Sequence, residues 1–298
     1  MQHITVLLHE SIEYLNIKPD GIYADGTLGA GGHSRLIADQ LDKKGVLIAT
    51  DLDERSLVHA RGFLDSLRPQ IHLVHGSFTH LPTIAQDLGV DGYDGILLDL
   101  GWNSDQFADS TRGFSFQVDG PLDMRFDTSD AVTSAADIVN TWSQEELMHI
   151  LKIYADERWA KNISEGIVQT RTKAPIVTTF QLVEIIREAI PNRFQHKGIH
   201  PATKTFQALR IAVNNELALL EESIPQLAQT LRPSGRLCII TFHSGEDRII
   251  KHLFRHLAQT GNFSLIEKKG IIPSKEELEK NPRSRSARLR ILEHVEHK

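Results

Sequence analysis

Between residues 21 and 101 the chain repeats one arrangement three times: a short apolar run, a loop of small or polar residues, and a longer segment with apolar positions at helical spacing. The runs fall at 22–25, 46–51, 71–75 and 95–100, and the helical segments between them at 34–41, 54–67 and 81–88. Short apolar runs without alternation suit strands covered on both faces, and such strands alternating with helices build a parallel sheet. The expected fold class is therefore α/β, with successive βα units around an open parallel sheet.

Strand-like runs then vanish from residue 104 to 200. Residues 143–171 and 178–190 read as amphipathic helices, and Ser143 followed by Glu146 fits a capping box. The α/β pattern resumes with a long helix over 202–231, a Pro233-Ser234-Gly235 turn, a strand at 236–242, a helix at 246–258 and a strand at 288–295. At 298 residues the chain accommodates one large α/β domain carrying an insertion. The predicted division is 1–104 and 201–298 for the sheet domain, with 105–200 as an inserted helical domain.

Hydrophobic residues at 40% and charged residues at 24% exclude disordered and fibrous classes. The lone Cys238 rules out an internal disulfide, and a reducing, cytoplasmic compartment is expected. No stretch approaches the roughly 18 apolar residues of a membrane span, and the start lacks the basic region of a leader, so no membrane partner is expected. A net charge of −6 argues against loose binding to nucleic acid. That average conceals a basic tail: residues 268–298 hold nine Lys and Arg against five Glu, a net of +4, so the rest carries −10. Four arginines lie within NPRSRSARLR.

The first βα connection, Asp25-Gly-Thr-Leu-Gly29-Ala-Gly31-Gly32-His33-Ser34, lets backbone approach a ligand and opens onto a helix with unpaired N–H groups. It departs from the GxGxxG dinucleotide fingerprint at Ser34. Asp51 stands at the tip of the second strand, where an acid commonly accepts hydrogen bonds from ribose, while Asp53 suits a helix cap. Asp99 stands at the tip of the fourth strand, beside the switch point of the sheet, in Leu98-Asp99-Leu100-Gly101-Trp102, followed by Asn103-Ser104-Asp105-Gln106. Trp102 can stack on a base or plug the core. Arg112, Phe114 and Arg125 lie in a loop suited to clamping phosphate and stacking bases, or to packing an insertion. His200, Arg210, His243 and Arg285 complete the substrate-binding candidates, with structural buttressing as the competing reading. His252 and His256 are four apart on a helix but lack the Glu of HExxH, so no metal site is expected.

Taken together, HITVLLHE, DGTLGAGGHS, VHGSF, DGILLDLG, RGFSF, DGPLDMR, HPATKTFQALRIAVNNEL, FHSGEDRI and NPRSRSARLR resemble the MraW-type family of methyltransferases of bacterial small-subunit rRNA, in order over nearly the whole chain. The resemblance implies a class I methyltransferase fold with an inserted helical domain, S-adenosyl-L-methionine as cofactor, and methylation of the exocyclic N4 of a cytidine in the decoding region of 16S rRNA. Carried over by position, the cofactor contacts are Gly31, Gly32, His33, Asp51, Phe78, Asp99 and Gln106. The expected partner is 16S rRNA within the 30S subunit or a late assembly particle, and a homodimer is left open. Trp102-Asn103 replace a usual Val-Ser, Gly245 a Leu, and Ala155-Asp156 a Gly-Glu pair.

Asp99 and Ser104 are the candidate catalytic residues. Asp99 is expected to accept a hydrogen bond from the target amine, and Trp102 to cover the base, a spacing similar to the DPPY motif of amino-methylating DNA enzymes without its prolines. Methylation at C5 would need a cysteine nucleophile. Cys238 lies in the apolar run RLCIITF and reads as a packing residue. Three rivals remain open from sequence: an NAD-dependent oxidoreductase, an rRNA-binding assembly factor without catalysis, and a small-molecule N-methyltransferase.

Overall fold

The computed structural model describes residues 4–100, 110–126, 133–195, 198 and 200–296. Its contacts divide the chain into two units, Met1–Gly101 with Leu217–Lys298, and Trp102–Glu216.

The first unit begins with α1 (Leu8–Leu15) and then runs β1 (Ile22–Asp25), α2 (Gly32–Gln40), β2 (Val46–Asp51), α3 (Glu54–Leu64), β3 (Gln70–His75), α4 (Leu81–Asp87) and β4 (Tyr93–Asp99). The second unit carries α5 (Ala135–Thr141), α6 (Gln144–Ala155), α7 (Ala160–Arg171), α8 (Thr179–Ala189), α9 (Asn192–Gln195) and α10 (Thr203–Asn214). The chain returns to the first unit through α11 (Glu216–Gln229), followed by β5 (Leu231–Thr241), α12 (Ser244–Gln259), β6 (Phe263–Ile271), α13 (Lys275–Lys280) and β7 (Arg288–His294).

The seven strands lie in the order β3-β2-β1-β4-β5-β7-β6. The first five are mutually parallel, and β7 runs antiparallel to both β5 and β6. Consecutive strands build outward from β1 to β3, after which β4 pairs on the other side of β1, so the sheet reverses direction between β1 and β4. At such a reversal open α/β sheets bind ligands in a crevice beyond the carboxyl ends of the strands, here those of β1 and β4. β1 is buried throughout. β2, β4 and β5 supply Leu47, Ala49, Leu97, Cys238 and Ile240 to a core shared with Leu7, Leu15, Ile37 and Leu64. Burial pushes the Cys238 thiol up to about 12. A thiol held neutral in this way is a packing group rather than a nucleophile.

β5 contains the Pro233-Ser234-Gly235 segment expected as a turn before the strand. Ser234 adopts a left-handed φ of 62°, and the pairing with β4 jumps from Tyr93↔Leu231 to Gly95↔Arg236. The turn is thus an irregularity within a longer strand. β6, which has no counterpart in the sequence reading, is an edge strand carrying Lys268 and Lys269 and kinked at Glu267 and Gly270, both at positive φ. Lysines and kinks are what keep an exposed edge from pairing with other chains. Among the described residues no helix is long and apolar enough to cross a membrane.

The helical unit has its own core, including Leu147, Ile150, Ile163, Ile167, Leu182, Ile186 and Leu209. Capping boxes open α5 at Ser134, α6 at Ser143 and α8 at Thr178, each satisfying backbone donors that the helix itself cannot. The long helix expected over 202–231 is two helices. Asn215 takes a left-handed conformation (φ 50°) and ends α10, whose Phe206, Ala208, Leu209 and Val213 belong to the helical core. α10 therefore sits with the helical unit, whereas the sequence division assigned it to the sheet domain.

Candidate active site

Three adjacent strands end in a carboxylate: β1 in Asp25, β2 in Asp51 and β4 in Asp99. The strands are parallel, so these acids line one edge of the sheet beside the crevice. Their surroundings give them different work.

Asp25 is 1% exposed. Its Oδ1 accepts the Thr27 N–H at 3.1 Å and its Oδ2 accepts the Ser34 hydroxyl at 2.6 Å. It thereby ties the start of the Gly-rich loop to the first turn of α2. Thr27 carries the link onward, since its Oγ1 accepts the Asp99 N–H at 2.6 Å. Thr50 Oγ1 donates to Gly26 O at 3.0 Å, fastening the loop to β2. The loop is held from below on three strands before any ligand arrives.

Asp51 receives the Gly29 N–H at 2.7 Å on Oδ2 and the Asp53 N–H at 2.8 Å on Oδ1. Burial raises its pKa against these two donors. Each carboxylate oxygen has a second acceptor direction, so an oriented acid of this kind can still receive a ligand hydroxyl. Asp53 caps α3 by accepting the Arg55 N–H.

Gly31 and Gly32 form the turn into α2. Gly31 has a φ of 78°, and a Cβ there would lie 2.5 Å from Phe63 Cζ; a Cβ on Gly32 would lie 2.1 Å from Thr5 Oγ1. The bare backbone thus threads between two side chains, and α2 starts without any side-chain cap. Its first N–H groups and the positive end of its dipole suit a carboxylate or another anion. His33 is buried, with Nδ1 3.7 Å from Asp99 Oδ2. Asp99 itself is 20% exposed at the crevice. Phe78, half-buried at the tip of β3, begins a 3-10 turn capped by the Ser77 hydroxyl.

The Asp25 carboxyl is pushed up to about 6 by burial, against the pull of the Ser34 and Thr27 hydrogen bonds. Because its folded pKa lies above the ordinary carboxylate value of 3.8, the folded chain holds this proton more tightly than the unfolded chain does. Its contribution to stability is fully present below pH 3.8 and is lost as pH rises through about 6. The loss proceeds at up to about 1.4 kcal/mol per pH unit. Asp25→Asn keeps an acceptor for Thr27 and offers a donor to Ser34. Denaturation curves at several pH values are expected to show a smaller fall in stability across this window for the variant than for the native chain. Equal slopes would count against burial of Asp25 as the cause.

The other residues singled out in the sequence divide sharply. In the helical unit, Arg112 donates from Nη2 to the carbonyls of Arg125 and Phe126, both at 2.7 Å. Phe114 is 4% exposed and stacks on Phe126. Arg125 forks the Asp123 carboxylate at 2.9 and 2.8 Å. Arg210, 3% exposed, does the same to Glu216 at 2.8 Å through both nitrogens. Arg210 is withdrawn from water and satisfied by its partner, as a buried guanidinium must be, and Arg112 and Phe114 pack within their own loop, while Arg125 stays part-exposed beside Asp123. His200 stacks on Phe116 at 4.6 Å and stays partly exposed. In the first unit His243 caps α12, exchanging hydrogen bonds with Glu246. Arg285 is exposed, whereas Arg288 and Arg290 from the same arginine-rich stretch pair with Asp247. Trp102, Ser104 and Gln106 lie outside the described residues. Sequence reasoning assigned no task to Asp25 or Thr27, although both belong to the quoted Gly-rich segment.

A parallel sheet that reverses direction at β1/β4 and ends in an antiparallel β7 inserted between β5 and β6 is the sheet of the class I methyltransferases. Comparison with known proteins narrows the class. The family described as MraW methylase matches residues 1–295, and the chain belongs to it. Curated relatives agree over nearly full length. The ribosomal RNA small subunit methyltransferase H of Brevibacillus brevis is 45% identical over 98% of this chain and 97% of its own. That of Clostridioides difficile is 44% identical over 98% and 99%.

Proposed function

We propose that the protein methylates the exocyclic N4 of a cytidine in the decoding region of 16S rRNA, with S-adenosyl-L-methionine as methyl donor and the 30S subunit or a late assembly particle as substrate. The observation that carries this reading is Asp99: a carboxylate at the switch point, fixed through its backbone by Thr27 and open to the crevice beside the glycine loop. The family and the names of the relatives support the substrate class.

The residues fit the donor. The side-chain-free passage at Gly31 and Gly32 and the uncapped start of α2 suit its amino-acid end, Asp51 suits its ribose hydroxyls, and Phe78 suits its adenine. Bound there, S-adenosyl-L-methionine supplies an already activated methyl group on a sulfonium. The task left to the chain is to position a poor nucleophile, since the cytosine amine delocalises its lone pair into the ring. Asp99 accepts a hydrogen bond from that amine, which directs it and concentrates electron density on nitrogen. Trp102 covers the base, Gln106 joins the cofactor contacts, and Ser104 is the second catalytic candidate. A paired base reaches such a crevice only after leaving its stack.

Incubation with labelled S-adenosyl-L-methionine and unmethylated 30S particles, followed by nucleoside mass spectrometry, is expected to yield N4-methylcytidine. A label on C5, on another base or on no nucleoside overturns the reading.

A further inference from the structure

The arginine-rich stretch near the C-terminus looks in sequence like the place where RNA phosphates would bind, yet two of its four arginines are taken by Asp247. α12 offers a different basic surface. Arg248, Lys251, His252, Arg255 and His256 recur at intervals of three and four, so they share one face of this helix. Arg248, His252, Arg255 and His256 are exposed and Lys251 is half-buried. The apolar positions between them, Ile250, Phe254 and Leu257, are buried on the opposite side. Among the described residues none of the five basic side chains takes an acidic partner. The acids of α12 are otherwise engaged, Glu246 with the cap at His243 and Asp247 with Arg290. Lys251 and Arg255 also line a shallow groove whose other wall includes Lys268 of β6, with Glu267 as its single carboxylate.

We infer that the outer face of α12 is a binding track for the phosphate backbone of rRNA, formed by Arg248, Lys251 and Arg255 with the two histidines between them. The inference rests on the RNA substrate proposed above and extends it to a surface outside the crevice. Its placement suits that role. α12 starts directly after β5, whose carboxyl end shares the edge that carries Asp99, and the helix leads away from that edge. From Arg248 to Arg255 the helix rises about 10 Å at roughly 1.5 Å per residue. One strand of a duplex presents roughly three phosphates over that distance, at about 3.4 Å per charge. The chain as a whole carries a net charge of −6, so favourable contact with RNA has to come from local clusters of cations. A stripe of cations leading from the carboxyl edge of the sheet, its nearest helical acid Asp247 already paired with Arg290, gives the flanking strand one favourable path.

The test is the salt dependence of binding to protein-free 16S rRNA and to 30S particles. In the triple variant Arg248→Gln, Lys251→Gln, Arg255→Gln, the slope of log affinity against log salt is expected to fall by about 2 to 3, at roughly 0.7 to 0.9 per phosphate contact. KM for the 30S particle is expected to rise at least tenfold, while affinity for S-adenosyl-L-methionine and the urea unfolding midpoint stay those of the native chain. Lys43→Gln, Lys44→Gln, at the opposite edge of the sheet before β2, is expected to leave the slope unchanged. A native slope in the triple variant, or an equal fall in the Lys43/Lys44 control, overturns the inference. Weaker binding to particles with unchanged binding to protein-free rRNA assigns the face to an acidic protein surface and also overturns it. If the native chain binds rRNA with the expected slope yet forms no N4-methylcytidine, the proposed reaction fails while the track stands.

Discussion

Replacing Asp99 by alanine is expected to lower methyl transfer at saturating substrate by roughly 10²- to 10³-fold, a loss of about 3 to 4 kcal/mol of transition-state stabilisation. The magnitude is that of removing one pre-positioned polar group from a reaction centre sheltered from water. The fold should survive, because Asp99 is anchored through its backbone: its N–H donates to Thr27 Oγ1 at 2.6 Å, and that bond needs no carboxylate. The side chain is 20% exposed, so alanine leaves no deep cavity. Asp99→Asn keeps an acceptor oxygen without the charge and is expected to fall between alanine and the native residue. Since Asp99 is also placed among the cofactor contacts, calorimetric affinity for S-adenosyl-L-methionine must be measured beside single-turnover rates. A rate loss far larger than the affinity loss identifies a group acting on the amine. Native single-turnover kinetics in Asp99→Ala would remove Asp99 from the mechanism.

The strand tips that carry this prediction were legible because buried parallel strands are written as unbroken apolar runs. β1 and β2 have the bounds read from sequence, and Asp51 and Asp99 end their strands as expected. β6 was invisible for the complementary reason: an edge strand with lysines and two positive-φ kinks has neither an apolar run nor alternation. The break at Asn215 was hidden because a left-handed residue at a helix end leaves the apolar spacing on either side intact. Side-chain partnerships were the least legible. Arg290 meets Asp247 and Arg232 meets Asp94 across more than 40 residues of chain, and no local pattern distinguishes such an arginine from one reserved for phosphate. The same holds inside the site. That Asp25 is a fastening and Asp99 an open acid follows from which hydroxyls and N–H groups reach each carboxylate, and Thr27 links the two only through tertiary contact.

The glycine loop depends on an absence of atoms, and Gly31→Val tests it. Gly31 sits at φ 78°, where a side chain costs about 1 to 2 kcal/mol and a β-branched one more. Its new Cβ would fall 2.5 Å from Phe63 Cζ, so the ring must swing or the loop must shift. Overpacking of this kind costs about 1 to 3 kcal/mol. A combined destabilisation of about 2 to 5 kcal/mol is expected in urea denaturation, and affinity for S-adenosyl-L-methionine should fall at least tenfold as the start of α2 is displaced. A second substitution separates the two causes. Phe63→Ala in the Gly31→Val background removes the collision but leaves the left-handed backbone, so it should recover part of the stability and little of the affinity. Full recovery of both would mean that the collision alone matters and that the left-handed turn has no part in shaping the site. Native affinity in Gly31→Val itself would place the cofactor elsewhere than on this loop.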